Sequence, residues 1–356
     1  MFWSISLKGL ILENNYEVVK IAWTHIKTAL QSGDETTWGT EATTNTVIGT
    51  VKSYTPDNRW DIYEVRGAGD GREAQNFIKT RFSCRPTIVY EVHEFSFLKH
   101  AIGPKDGSGT TADPYTLTEA DYTGVTADTH IIPASIECGS VGSSDDVDTY
   151  VGCFIDSFTL DATLGGVLTC TANIIAKSVT SSTSATAYNP PTTHPWVMTS
   201  EGTFKWGDTP SSVSGVRSVS ITYNNNMIVY GDWNTIFISM PIAGERNITW
   251  SATVVMSSTV ATTLRDDFYG QANSPVDDES EAEPAADKEL HLIFSQGSSS
   301  GDRKAEIYLD QCMIESISKP ITMGAGDVVL VTFSGRAKTS GKTGESNVFV
   351  KWWTVT

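Results

Sequence analysis

Two stretches of this chain, far apart in sequence, carry the same residues in the same order. YVGCFIDSFTLDATLGGVLTCTANIIAKSVT (150–180) is echoed by YLDQCMIESISKPITMGAGDVVLVTFSGRAKTS (308–340). Cys153 falls on Cys312, Ile155 on Ile314, Ser157 on Ser316 and Gly165 on Gly324. A two-residue slip in the turn then sets Thr171 on Thr332, Ala176 on Ala337 and Lys177 on Lys338. Upstream, Val51-Lys52-Ser53 matches Val216-Arg217-Ser218, and the segment ending at Gly103 matches the one ending at Gly270. Ordered matches at an offset of about 160 residues are too far apart for a solenoid unit and suit a duplicated domain. At 356 residues the chain has room for two cores. The reading is an N-terminal arm at 1–35, a first domain at 36–190 and a second at 191–356. The Ser-, Thr- and Pro-rich stretch 181–195 forms the boundary.

The side-chain period supports a mainly β fold. Val219, Ile221 and Tyr223 alternate with Ser220, Thr222 and Asn224. Ile248, Trp250, Ala252 and Val254 alternate with Thr249, Ser251 and Thr253, and Leu168 to Ala176 does the same. Strands of this kind bury one face and leave the other polar, as in antiparallel sandwiches or barrels. The exception is 15–31, where Tyr16, Val19, Trp23, Ile26 and Leu30 recur at three- and four-residue steps and predict an amphipathic helix. That helix packs either on its own domain or, through Trp23 and Ile26, on a neighbouring subunit. Short helices at 72–80 and 261–268 are weaker expectations. Two long turn-rich stretches, 103–128 and 271–289, stand at matching places in the repeats. Loops this long in compact domains are usually functional or disordered. Both are expected to reach a neighbouring subunit or ring, the second through Asp277, Asp278, Glu279, Glu281 and Glu283.

Chemistry is sparse. Lys plus Arg total 25 against 42 Asp plus Glu, a formal net charge of -17 that disfavours a phosphate-gripping surface. The five cysteines show no CxxC pair and no histidine partners at zinc spacing, so free thiols are expected and no metal is assigned. The six histidines include no HExxH, and His93-Glu94 is the nearest approach to a site. There is no phosphate loop and no dinucleotide fingerprint, and neither catalytic residues nor cofactors are assigned. The carboxylates at 277–283 lack the glycine and spacing of an EF-hand loop. No window holds the roughly 18 uninterrupted apolar residues of a membrane span.

In VRSVSITYNNNM, GCFIDSFTLDATLGGVLTCTANIIAKSV and ETTWGTEATTNTVIGTVKSYTP the chain resembles the major tail tube proteins of tailed double-stranded DNA viruses, in the subfamily with two tube domains per chain. The resemblance implies tandem β-sandwich or barrel domains whose rings stack into a tube with a central channel for genome ejection. It implies a non-enzymatic virion protein, assembled in the host cytoplasm, whose partners are its own copies, other tail proteins and DNA that passes without specific binding. With six domains around the axis, two per chain imply a homotrimeric ring of pseudo-sixfold symmetry. The alternative is a two-domain adhesin or carbohydrate-binding module using aromatic platforms such as Trp206 or Trp352.

Overall fold

The structure is a computed structural model. It describes residues 27–43, 46–67, 74, 76–126, 129–141, 146–182, 191–256, 258–269, 288–297, 302–319, 329–339 and 348–353. The first half contributes β1 (Lys27–Asp34), β2 (Thr46–Val47), β3 (Thr50–Thr55), β4 (Asn58–Val65), β5 (Asn76–Cys84) and β6 (Thr87–Glu91). It continues with β7 (Lys105–Asp106), β8 (Tyr115–Thr118), β9 (Ala134–Val141), β10 (Asp146–Thr163), β11 (Thr169–Ile175) and β12 (Ser178–Ser182). The second half adds β13 (Gly202–Gly207), β14 (Ser211–Ser212), β15 (Val216–Asn224) and β16 (Asn247–Val255). It ends with β17 (Lys288–Ser295), β18 (Lys304–Ser318), β19 (Leu330–Thr339) and β20 (Val348–Trp353). A helix at Ser258–Tyr269 and a 3-10 turn at Ser96–His100 occupy corresponding places after β16 and β6.

Each half is organised by one long strand that serves two sheets. The N-terminal part of β10 pairs with β9 and β12, and its C-terminal part with β11, which continues to β6 and β3. β18 repeats this plan with β17 and β20 on one part and β19, β16 and β15 on the other. β1 beside β9 has its counterpart in β13 beside β17.

The irregularities coincide as well. A bulge falls between Ile155 and Ser157 in β10 and between Ile314 and Ser316 in β18. Another falls between Val51 and Ser53 in β3 and between Val216 and Ser218 in β15. Bulges bend a strand and re-aim its side chains, which lets one strand turn from one sheet into the next. The residue before each matched cysteine adopts a left-handed backbone, Gly152 at φ 70° and Gln311 at φ 50°.

The strand alternation arises because one face of each sheet is buried. Val219, Ile221 and Tyr223 point inward from β15, and Ile248, Trp250, Ala252 and Val254 from β16. Besides a smaller cluster that includes Ile131, Phe154, Met227 and Ile238, one large apolar core runs through both halves of the described residues. Facing pairs compensate in volume, since Ile88 opposite Ala172 in the first repeat corresponds to Ala252 opposite Phe333 in the second. All five cysteines are free and buried in this core.

The helix expected at 15–31 is corrected at its end. Residues 27–31 belong to β1, which pairs with β9 without interruption from Lys27 opposite Val141 to Asp34 opposite Ala134. A full ladder of backbone hydrogen bonds outweighs a weak local helical period. Residues 15–26, including Trp23 and Ile26, lie outside the described residues. The short helix expected at 261–268 is present, whereas 76–80 is strand β5. No helix among the described residues is long and apolar enough to cross a membrane.

Candidate assembly surfaces

The two repeats are joined by backbone pairing. Ser157–Thr163 of β10 run antiparallel to Ser218–Asn224 of β15 without a break in register. On the buried face Phe158 stacks on Tyr223 at 5.2 Å with rings 10° apart, and Phe349 meets both edge-on at 5.8 and 5.5 Å. Leu160 opposes Ile221 and Ala162 opposes Val219. On the other face the Thr159 and Thr222 hydroxyls lie 3.0 Å apart. The result is an eight-stranded antiparallel run, β3-β6-β11-β10-β15-β16-β19-β18, four strands from each repeat.

The run ends on two edges. Among the described residues β3 pairs only with β6, and Ser316–Ser318 of β18 pairs only with β19. Unpaired edges are templates for another chain unless they are blocked. The polar face of the run is dominated by hydroxyls and amides, with Thr253–Thr332, Ser316–Ser334 and Asn173–Ser157 contacts at 3.0, 2.6 and 3.0 Å. Its charges are partly neutralised by Lys52–Glu91 and Arg336–Glu315 at 2.6 and 2.8 Å.

A second surface is the hairpin β4–β5, a two-stranded sheet of its own. Its root is held by Trp60 against Phe82 at 4.9 Å, Phe82 against Phe237 at 6.4 Å and a bond from the Phe82 N–H to the Ile236 carbonyl at 2.9 Å. Farther out Ile62, Tyr63, Phe77 and Ile78 are 59, 61, 62 and 47 % exposed. Isolated hairpins are marginal in water, and an apolar cluster on one marks an interaction surface.

The rest of the chain braces these surfaces. Glu35 is buried, its carboxylate accepting from the Gly39 N–H, the Ser135 hydroxyl and the Gly152 N–H at 2.7, 2.9 and 2.7 Å. Burial raises its pKa despite those bonds. Arg303 lies over the Trp196 ring at 3.8 Å and donates to the carbonyls of His194 and His93. It thereby pins the segment between the repeats to both, and burial lowers its pKa to about 10. His93 bonds the Thr50 hydroxyl at 2.8 Å and the Thr193 carbonyl at 2.6 Å, so it is a structural tie. Among the described residues no group of three or more His, Cys, Asp or Glu is placed to hold a metal.

The 103–128 stretch crosses to the other repeat. β8 pairs with β20, β7 pairs with β8, and Glu119 is bound by Arg246 at 2.8 Å. Asp277, Asp278, Glu279, Glu281 and Glu283 lie outside the described residues. The aromatic platforms of the adhesin reading are corrected, because Trp206 and Trp352 are buried. Trp206 packs on Trp250 at 4.9 Å and donates to Asp267 at 2.7 Å, while Trp352 sits between Phe95 and Tyr115.

Duplicated sheets spliced edge to edge, with both edges of the run unpaired among the described residues, are suited to pairing with further strands. The chain belongs to the phage tail tube protein family, whose sequence profile matches residues 26–337. It is therefore a component of the virion tail. No curated protein matches it in sequence.

Proposed function

We propose that this chain is the ring-forming subunit of the tail tube, three copies closing around a channel through which the genome leaves. The observation that carries the reading is the β10–β15 ladder, in which one repeat already docks on the next by strand pairing. Repeating that contact between chains sets the open edge of β18 against the open edge of β3 in the next copy. The contact is heterologous, so it closes into a ring when the rotation per chain divides the circle. The two repeats then alternate about the axis, giving threefold symmetry and six near-equivalent domains. The stretch 36–190 together with β1, and 191–356, are proposed as the two tube domains.

The hydroxyl-rich face of the eight-stranded run is assigned to the channel. Duplex DNA carries one charge per about 1.7 Å of axis, and a lysine-lined wall would retain it through many phosphate contacts. A wall dominated by threonine, serine and asparagine, whose Lys52 and Arg336 are paired with Glu91 and Glu315, offers a weaker grip. The β4–β5 hairpin, with its exposed apolar residues, is assigned to contact between stacked rings. Assembly takes place in the host cytoplasm, together with other tail proteins.

The register is testable. Thr159 and Thr222 face each other at the internal junction, and by the repeat alignment they correspond to Ser318 and Asp57. Ser318→Cys and Asp57→Cys placed together in one chain should yield a disulfide-linked ladder of chains on oxidation of assembled tubes. Tubes that form without any cross-linked species would contradict the register.

A further inference from the structure

We propose that residues 227–244, between β15 and β16, form a second stacking arm that presents Ile228, Ile242 and Trp233 to a second copy of this chain in the adjacent ring. The proposal rests on the stacking role given above to β4–β5.

The register of the repeats identifies the segment. Tyr54 opposite Ile88 in the first repeat corresponds to Val219 opposite Ala252 in the second. From these anchors Tyr63 and Ile228 each stand nine residues on, and Ile78 and Ile242 each stand ten residues back. Tyr63 pairs with Ile78 across β4–β5. Ile228 pairs with Ile242 in an antiparallel bridge closed by N–H to carbonyl bonds of 2.8 and 3.1 Å. Exposure matches as well, 61 and 47 % for Tyr63 and Ile78 against 57 and 50 % for Ile228 and Ile242. The two repeats therefore hold an apolar cross-strand pair out in water at the same position. A feature of this kind marks an interaction surface.

The second arm is held in a fixed orientation by its other face. Met227 and Ile238 are buried in the small cluster with Ile131 and Phe154, and Val229 and Met240 pack against it. Phe237 meets Phe82 at the root of β4–β5, so the two arms stand side by side. Gly231 bridges Ile238, and the tip turns through Asn234 at φ 65°. Beside that turn Trp233 is 97 % exposed. The outward face is thus pre-formed, and a pre-formed surface loses little entropy on docking.

Charge and symmetry point to the occupant. Across 227–244 the one charged residue is Asp232, whose carboxylate accepts from the Ser239 hydroxyl. Copies that each carry a formal charge of -17 repel one another, and a contact between them is least opposed through uncharged surface. A partner that meets both arms alike must itself repeat with their spacing. A ring of alternating repeats has that property.

Hydroxyl-radical footprinting of Trp233 in the wild-type chain tests the contact. In tubes its ring should be oxidised about tenfold more slowly than in dissociated subunits, because the centre of an interface excludes water. Equal rates would overturn the proposal. So would equal protection in single rings, since that would place the contact within a ring. I228D/I242D alters exposed side chains and should keep the monomer's melting temperature while giving single rings or short stacks in electron micrographs. Tubes shortened by I62D/F77D and left at normal length by I228D/I242D would overturn the second arm alone. Normal tubes from I62D/F77D would instead remove the stacking reading on which it rests.

Discussion

Glu35 shows how much of this fold rests on single buried groups. Its carboxylate holds the end of β1 to the Gly152 bulge of β10, so Glu35→Ala leaves the buried Gly152 N–H and the Ser135 hydroxyl without their acceptor. An unmet buried polar group costs about 1–3 kcal/mol, and thermal unfolding should show a loss of that order or larger. His100 makes the stability depend on pH. Burial and the neighbouring Lys99 hold its pKa at about 4, below the ordinary 6.5, and Nδ1 faces the Ile132 carbonyl at 2.9 Å. The neutral ring is the folded form. The unfolded chain takes up the proton first as pH falls, so the His100 contribution is complete above about 6.5 and drains away down to about 4. A melting temperature that declines across this window in the wild type, and declines less in His100→Gln, is the expected result; equal slopes would remove His100 from the account. Neither role was legible in the sequence. Glu35 lies just before the Thr-rich entry to the first repeat and His100 in a run without a motif, and each depends on a distant partner, Gly152 at 117 residues for Glu35 and Ile132 at 32 for His100.

At the scale of elements, the sequence displayed strands wherever one face is buried and the other wet. β11, β15 and β16 alternate cleanly for that reason. β4 and β5 are exposed on both faces toward their tip, so period-two alternation is missing and 72–80 suggests a weak helix instead. β1 was hidden by a helical period that runs into it from 15–26, and only its partner β9 reveals the strand. The motifs that carried the family resemblance are the matched bulged strands, where the turn and bulge positions are constrained in both repeats. The β4–β5 arm gives the prediction proper to this scale. Ile62→Asp with Phe77→Asp removes exposed apolar surface and no core contact, so the monomer should keep its melting temperature. Electron microscopy should then show single rings or short stacks in place of long tubes; tubes of normal length would take the hairpin out of the stacking role.

The whole molecule is built around an eight-stranded run whose two end strands have unpaired edges among the described residues, and the proposed function follows from what those edges can meet. Duplication was evident in the residues, yet the splice between repeats was not, because a register between distant strands leaves no local periodicity in either. The same limit hid the passage of the 103–128 stretch onto β20. If the hydroxyl face lines the channel, Thr159→Lys with Thr222→Lys would place cations along the DNA path at the junction of the repeats. Particles carrying them should eject their genome more slowly at low salt and recover as salt screens the contact; unchanged kinetics would move the channel to the other face. The central claim is the trimeric ring, and the rotational symmetry of end-on tube images tests it most directly. Three chains per ring with six alternating, unequal lobes is the predicted result, and true sixfold symmetry from six chains per ring would contradict it.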